Sequence, residues 1–248
     1  MFVKRIAGVL CLVALAGCQA VPASPTPGLP PDLWQVQITP SLQWLATDLN
    51  NCTRQVSNVS LLIFERPTSA LETEKFDFTL RWGSVPDGGP YAAVLGQDEL
   101  VVIVQAHNPL EELNLAALQQ IYTTPGLDWS SATSGQAPEV QAIHAWGYTA
   151  GSDVQPVFEN LLLQEPANEA LLYTAPDPAA LRQAVADDPG AIGFIPRRWL
   201  DERVKAVSIN DLPAGATQQP VLVMASQEPT GPQTTWLVCI QDALASRP

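Results

Sequence analysis

The residues in this sequence whose types and spacing suggest chemistry are hydroxyls placed at the starts of helical patterns. Thr39-Pro40-Ser41 sets two hydroxyls around a proline suited to a first helical turn, and Gly151-Ser152-Asp153 opens a later helical run in the same way. Unpaired backbone N–H groups at such starts favour a small anion, and Ser or Thr adds donors; plain helix capping uses the same residue types. Arg81 offers a rigid fork of donors suited to a carboxylate or oxyanion, or to pairing with a nearby acid. Trp82, Trp146 and Tyr148 supply flat, partly polar surfaces that either wall an organic ligand or fill a core.

Catalytic patterns are missing. The only histidines are His107 and His144, and no Gly-x-Ser-x-Gly, His-Glu-x-x-His or Gly-rich loop followed by Lys occurs. No Cys-x-x-Cys or Cys/His cluster suggests a metal site. These residues therefore carry no enzyme reading, and neither a cofactor nor a metal is expected.

Elements able to position these side chains alternate along the chain. Short β-branched runs predict strands at Trp34–Ile38, Ser60–Phe64, Phe76–Leu80, Ala92–Val94, Glu99–Gln105, Val140–Trp146, Ala191–Ile195, Ala206–Ile209 and Val221–Ala225. Between them, Leu42, Leu45 and Leu49 stripe a helix after Thr39, and Leu115, Leu118 and Ile121 stripe a second. Ser152 and Gln155 stand in capping-box spacing before a third, Asp177-Pro178 opens a fourth, and a last helix runs from about Thr235 through Leu244. Such alternation predicts an α/β architecture with mostly parallel sheets.

Length and charge bound the partners. The chain has 248 residues, 46% of them apolar, enough for a large core, and its formal net charge is −13. With no basic stripe, neither nucleic acid nor an anionic membrane surface is an expected partner. Lys4-Arg5 followed by an apolar run from Ile6 to Ala16 reads as a secretory signal, too short to span a bilayer. Its end, Leu15-Ala16-Gly17-Cys18, resembles the lipobox of bacterial lipoproteins, which implies lipid attachment at Cys18 after removal of residues 1–17. Residues 18–32 carry five prolines between Pro22 and Pro31 and read as a semi-rigid tether. Cys52 and Cys239 are then the remaining mature thiols besides Cys18, and in an oxidising compartment they predict a disulfide; the alternative is two buried thiols.

The order of segments is similar to the phosphate-binding proteins of ABC transporters. Leu100-Val101-Val102-Ile103-Val104 leading to Asn108-Pro109, then Leu113 through Tyr122, resembles that family's crossover strand and following helix. Leu127-Asp128-Trp129 falls at its Trp-containing turn, Gly151-Ser152 through Phe158 at its Gly-Ser-Gly-Thr helix start, and Gly190-Ala191-Ile192-Gly193-Phe194 at its return strand. The resemblance covers roughly residues 33–245. It implies a two-lobe type II periplasmic-binding-protein fold, each lobe a mostly parallel sheet flanked by helices, joined by two crossover strands. One lobe would comprise residues 33–104 and 198–248, the other residues 105–197.

That resemblance implies an extracytoplasmic, lipid-anchored, monomeric solute-binding protein that captures a small ligand between its lobes and passes it to an ABC permease. The ligand-facing residues would be Thr39, Ser41, Arg81, Trp82, Tyr148, Gly151 and Ser152. Two departures bear on the ligand. Along Phe76-Asp77-Phe78-Thr79-Leu80-Arg81-Trp82, Asp77 matches the first Asp of the family's Asp-Phe-Gly-Ala-Ser-Asp, but Trp82 stands where the proton-accepting Asp is expected. The Arg that the family has shortly before this motif is absent from Trp146-Gly147-Tyr148-Thr149-Ala150, and Asp153 or Val154 replaces the motif's final Thr. Loss of these positions is also what a non-transport lipoprotein, using the fold for interaction or sensing, would show.

Overall fold

Alternation of apolar residues along the β-rich runs produces one mixed sheet in the computed structural model, which describes residues 31–84, 91–133 and 142–246. The compact unit treated below begins at Pro31. The leader, Cys18, most of the tether, and Val140 and Gln141 of one expected strand lie outside the described residues.

Among the described residues ten strands are formed: β1 (Asp32–Ile38), β2 (Val59–Glu65), β3 (Phe78–Trp82), β4 (Tyr91–Gln105), β5 (Glu112–Asn114), β6 (His144–Tyr148), β7 (Tyr173–Ala175), β8 (Ala191–Pro196), β9 (Val204–Asn210) and β10 (Gln218–Ala225). The principal order is β2-β1-β3-β10-β4-β8-β6-β7, with β9 pairing both β4 and β5. The flanks are parallel, β1 with β2 and β3, and β6 with β7 and β8. The centre is antiparallel, because β10 lies between β3 and β4, and β4 also pairs antiparallel with β8 and β9.

β4 joins the two halves of this sheet. Its first part, Tyr91 to Glu99, pairs with β10, and its second part, Leu100 to Gln105, with β8 and β9. The sequence suggested two separate strands here; they are one, interrupted in register at Leu95, where Val221 faces Gly96 and Leu222 faces Val94. This extra residue is a β-bulge, which bends and twists a strand locally. Gly96 beside it admits the side of Leu244, 3.1 Å from where a Cβ would stand.

Among the described residues six α-helices flank the sheet: α1 (Ala46–Thr53), α2 (Leu115–Thr123), α3 (Trp129–Ala132), α4 (Val154–Phe158), α5 (Pro178–Asp187) and α6 (Pro232–Ala245). Asp177 caps α5 as expected, its carboxylate accepting from Ala180 N at 2.8 Å. A 3₁₀ segment, Pro40–Leu45, precedes α1, and α4 runs on into a π turn at Glu159–Leu163. No helix among the described residues is long and apolar enough to cross a membrane.

Two aromatic clusters fill the core. In the half containing β1 and β3, Trp236 of α6 packs on Trp34 (5.8 Å between ring centres) and Phe78 (4.9 Å). Nearby, Cys52 of α1 is bridged to Cys239 of α6, as the cysteine usage predicted. In the other half, Phe158 stacks on Phe194 at 3.7 Å, with Tyr122 edge-on to both. Gly193 of β8 faces α5 there, and a Cβ at that position would stand 2.5 Å from Leu181 Cδ2, so the leucine side chain would have to shift to admit one.

Candidate functional site

β1 ends at Ile38 and delivers Thr39, whose N–H donates to Leu80 O of β3. Thr39 stands at the start of the 3₁₀ segment, yet its hydroxyl caps nothing. It lies 3.0 Å from the Ser41 hydroxyl, and Ser41 Oγ donates to Asp153 Oδ2 at 2.6 Å. Trp82 N, at the end of β3, donates to the same carboxylate oxygen at 3.2 Å. All three side chains, Thr39, Ser41 and Asp153, are buried.

Asp153 immediately precedes α4, where an Asp ordinarily accepts from the first-turn N–H groups. It does not cap the helix. Ser152 Oγ accepts from Val154 N at 3.1 Å instead, and the carboxylate reaches across to the other half of the sheet. The capping box read from Ser152 and Gln155 is not formed either. Gln155 Oε1 accepts from Tyr148 N, and its amide donates to Glu159. The Asp153 side chain is thus free of its own helix and committed to residues far away in sequence.

Burial pushes the Asp153 carboxyl above its ordinary range, opposed by hydrogen bonds from Ser41 and Thr39 and from the Trp82 N–H. Arg81 shares this environment. Burial lowers its guanidinium pKa while the Asp153 charge raises it, and Arg81 Nε has no hydrogen-bond partner. The pair attracts without forming a contact ion pair, which leaves a guanidinium beside a carboxylate already bound by other donors.

The two halves of the sheet also touch directly around this centre. Gly151, at φ +92°, turns its carbonyl to Thr68, which donates from both N and Oγ1 at 2.8 Å. A Cβ on Gly151 would meet Ser69 Oγ at 3.0 Å and Pro67 Cβ at 3.1 Å. Trp199 Nε1 donates to Ser41 O at 2.7 Å. The cavity left among Pro67, Thr149, Gly151, Ser152, Asp153 and Asp177 measures about 30 Å³, about the room of one water molecule.

Of the residues singled out in the sequence, Thr39, Ser41, Gly151 and Ser152 converge here, and Arg81 lies within electrostatic reach of Asp153. Trp82 and Tyr148 contribute differently from the expected flat walls. Trp82 is fully buried on the face of β3 it shares with Phe78 and Leu80, and only its N–H faces Asp153. The Tyr148 hydroxyl donates to Phe194 O at 2.9 Å, inside the second aromatic cluster. Trp146 stacks on the exposed Tyr173 at the sheet edge, 5.4 Å between ring centres. Asp153 itself was visible only as a departure from a motif, an Asp directly after Ser152 at a helix start.

Larger hollows lie elsewhere. One of about 270 Å³ runs beside Val101, Val207 and Ile209 and is flanked by the Glu99–Arg197 ion pair, 2.6 Å. Another, about 500 Å³, is bordered by Gln35, Glu74, Asp77 and Glu228. Neither gathers buried donors around a buried charge, which is why the small cavity is the candidate site. Among the described residues no group of three or more His, Cys, Asp or Glu is placed to hold a metal ion.

A second buried carboxylate lies on β4. Burial raises Asp98 to about 6, against the opposing effects of the Glu99 N–H (2.8 Å) and the Arg198 charge. Its Oδ2 has no hydrogen-bond partner. The folded state therefore holds this proton more tightly than the unfolded state, whose value is near 4. Stability from this group is greatest below pH 4, falls as pH rises to about 6, and is flat beyond, by about 3 kcal/mol in total. Asp98→Asn should remove that slope, so the variant gains on the wild type between pH 4 and 7 in urea unfolding. A stability difference independent of pH would contradict it.

The arrangement is a mixed α/β sheet flanked by helices, a type II periplasmic-binding-protein-like fold. No protein-family model matches the sequence, and no curated protein does. Among solved structures, the chain is similar to a Clostridium perfringens protein named as a phosphate ABC transporter substrate-binding protein, solved with phosphate bound. The TM-score is 0.70 at 15% identity, covering 84% of this chain and 93% of that one. It is also similar to an ABC-type phosphate transport receptor from Vibrio cholerae, TM-score 0.63 at 16% identity over 86% and 95% of the two chains. The regulatory domain of CcmR from Synechocystis PCC6803, in complex with 2-PG, gives 0.61 at 12% identity over 87% and 98%. At these identities the likeness is one of fold, shared by proteins named for transport and for regulation.

Proposed function

We propose that this protein is an extracytoplasmic solute-binding protein, lipid-anchored at Cys18, that takes a small ligand between two lobes and delivers it to an ABC permease. The lobes would be residues 33–104 with 198–248, and residues 105–197, moving about the β4 crossover. The observation that carries this reading is the set of donors Ser41 Oγ and Trp82 N, backed by Thr39, which engages a carboxylate coming from the opposite half of the sheet. Groups arranged to hold an anionic oxygen across a two-part cleft are what a solute binder of this fold requires. Arg81 would face the charged end of the ligand, and Gly151 and Ser152 would close over it.

A second reading is favoured by the same carboxylate. Because Asp153 already fills the donors and only about 30 Å³ remains, the fold would serve as a closed interaction or sensing module that carries no solute. A thermal-shift screen of the chain from Gln19 onward separates the two, using phosphate, other oxyanions, carboxylates, amino acids and sugars, with Arg81→Ala alongside. One ligand class raising the melting temperature by several degrees, with the shift lost in Arg81→Ala, is the expected result. No shift with any class, in a protein that melts cooperatively, would leave the interaction module.

A further inference from the structure

We propose that Asp153 is a tethered internal ligand that excludes free anions from the cleft, so that removing its carboxylate unmasks an oxyanion site formed by Ser41, Thr39, the Trp82 N–H and Arg81. The inference rests on reading this cleft as a ligand site, but it concerns who occupies the site and requires neither transport nor knowledge of the natural ligand.

Three observations carry it. First, the Asp153 carboxylate gives up the cap of its own helix and is bound by groups 112 and 71 positions away, at 2.6 and 3.2 Å. Second, the donors it engages are inside the protein, where an unpaired hydroxyl or N–H is costly; some acceptor must always be present, and Asp153 is that acceptor. Third, Arg81 Nε is buried without a hydrogen-bond partner beside this centre. A carboxylate pays less to neutralise a guanidinium when it can reach it, and Asp153 is held short of contact. A free tetrahedral oxyanion, untethered and carrying more oxygens, can engage the hydroxyls and the guanidinium together.

Competition then follows from tethering. A group held on the same chain acts at an effective concentration of millimolar or more, with no entropy of association left to lose when the halves are together. An external monovalent or divalent anion must displace it from those donors. Phosphate or sulfate at ordinary concentrations would fail to do so in the wild type. The ligand able to open the wild-type cleft must offer more contacts than a bare oxyanion, which makes Asp153 the residue that sets specificity.

Isothermal titration of inorganic phosphate and sulfate into wild type, Asp153→Ser and Asp153→Ser/Ser41→Ala tests the proposal, with circular dichroism melts showing that each is folded. Asp153→Ser should bind one or both anions at least about tenfold more tightly than wild type, and the second substitution should abolish the gain. Wild type binding as tightly as Asp153→Ser would overturn the proposal while upholding a solute-binding cleft. A folded Asp153→Ser that binds neither anion, or a gain that survives Ser41→Ala, would overturn it as well. A second measurement needs no variant: in wild type the Trp82 amide resonance, reporting its bond to Asp153, should stay fixed as phosphate is added to about 20 mM, a range that samples competitors of ordinary millimolar affinity. Saturable movement of that resonance would show displacement by free phosphate and refute the exclusion.

Discussion

Replacing Cys52 and Cys239 together by serine is expected to destabilise the protein by about 5 kcal/mol and lower its melting temperature by about 10–20 °C. The bridge joins residues 187 positions apart, so it removes a large share of the freedom of the unfolded chain, with a cost growing as the logarithm of loop length. The native contacts it ties are independent of it, because α1 and α6 are already held by the Trp236 cluster and by buried leucines. The folded variant should therefore keep its near-ultraviolet spectrum at low temperature. Urea unfolding of the oxidised wild type and the double variant measures the difference. A loss below about 1 kcal/mol would mean that the bridge scarcely restricts the denatured chain.

Trp236→Ala should cost a further large amount, about 3–5 kcal/mol, through the cavity left by a fully buried indole. The ring fills the space between Trp34 and Phe78, and its Nε1 donates to Leu49 O at 3.2 Å and Thr53 Oγ1 at 3.0 Å. Trp236→Phe retains much of the volume and removes the donor, so its loss should be nearer 1–2 kcal/mol. Equal losses for the two substitutions would show that the hydrogen bonds, and not the packing, dominate at this position. Both effects exceed those expected in the cleft, where the groups are arranged for binding as much as for stability.

What could be read in the sequence was mostly local. Asp177-Pro178 announced a helix start because cap and proline act within one turn, and the cysteine pair was readable because few other thiols were available. Strands β5 and β7, three residues each, escaped notice because their pairing partners, β9 and β6, supply what their own sequences do not. The leucine stripe after Thr39 read as a single helix, whereas Pro40–Leu45 is 3₁₀ and only Ala46–Thr53 is α-helical. There the Ser41 carbonyl is engaged by the Trp199 indole, 158 positions away. By residue type Trp82 suits a ligand wall or a core, and the alternation Phe78, Leu80, Trp82 places it on the buried face. The hydroxyls of the candidate site were legible from their spacing. The direction taken by Asp153 was not, since a side chain that abandons its own helix for another part of the chain follows no period.

The position of β10 sets the order in which this molecule can assemble. β3 and the first part of β4 follow one another in sequence yet do not pair; the last strand of the chain inserts between them. Until residues 218–225 have been made, both strands present open edges, which are templates for pairing with other chains. α6, with Trp236 and Cys239, comes later still. The sheet half that holds Thr39 and Ser41 is therefore completed last although its first strand is made first. Folding of such a chain should be slow, governed by the closure of long loops rather than by its local helices.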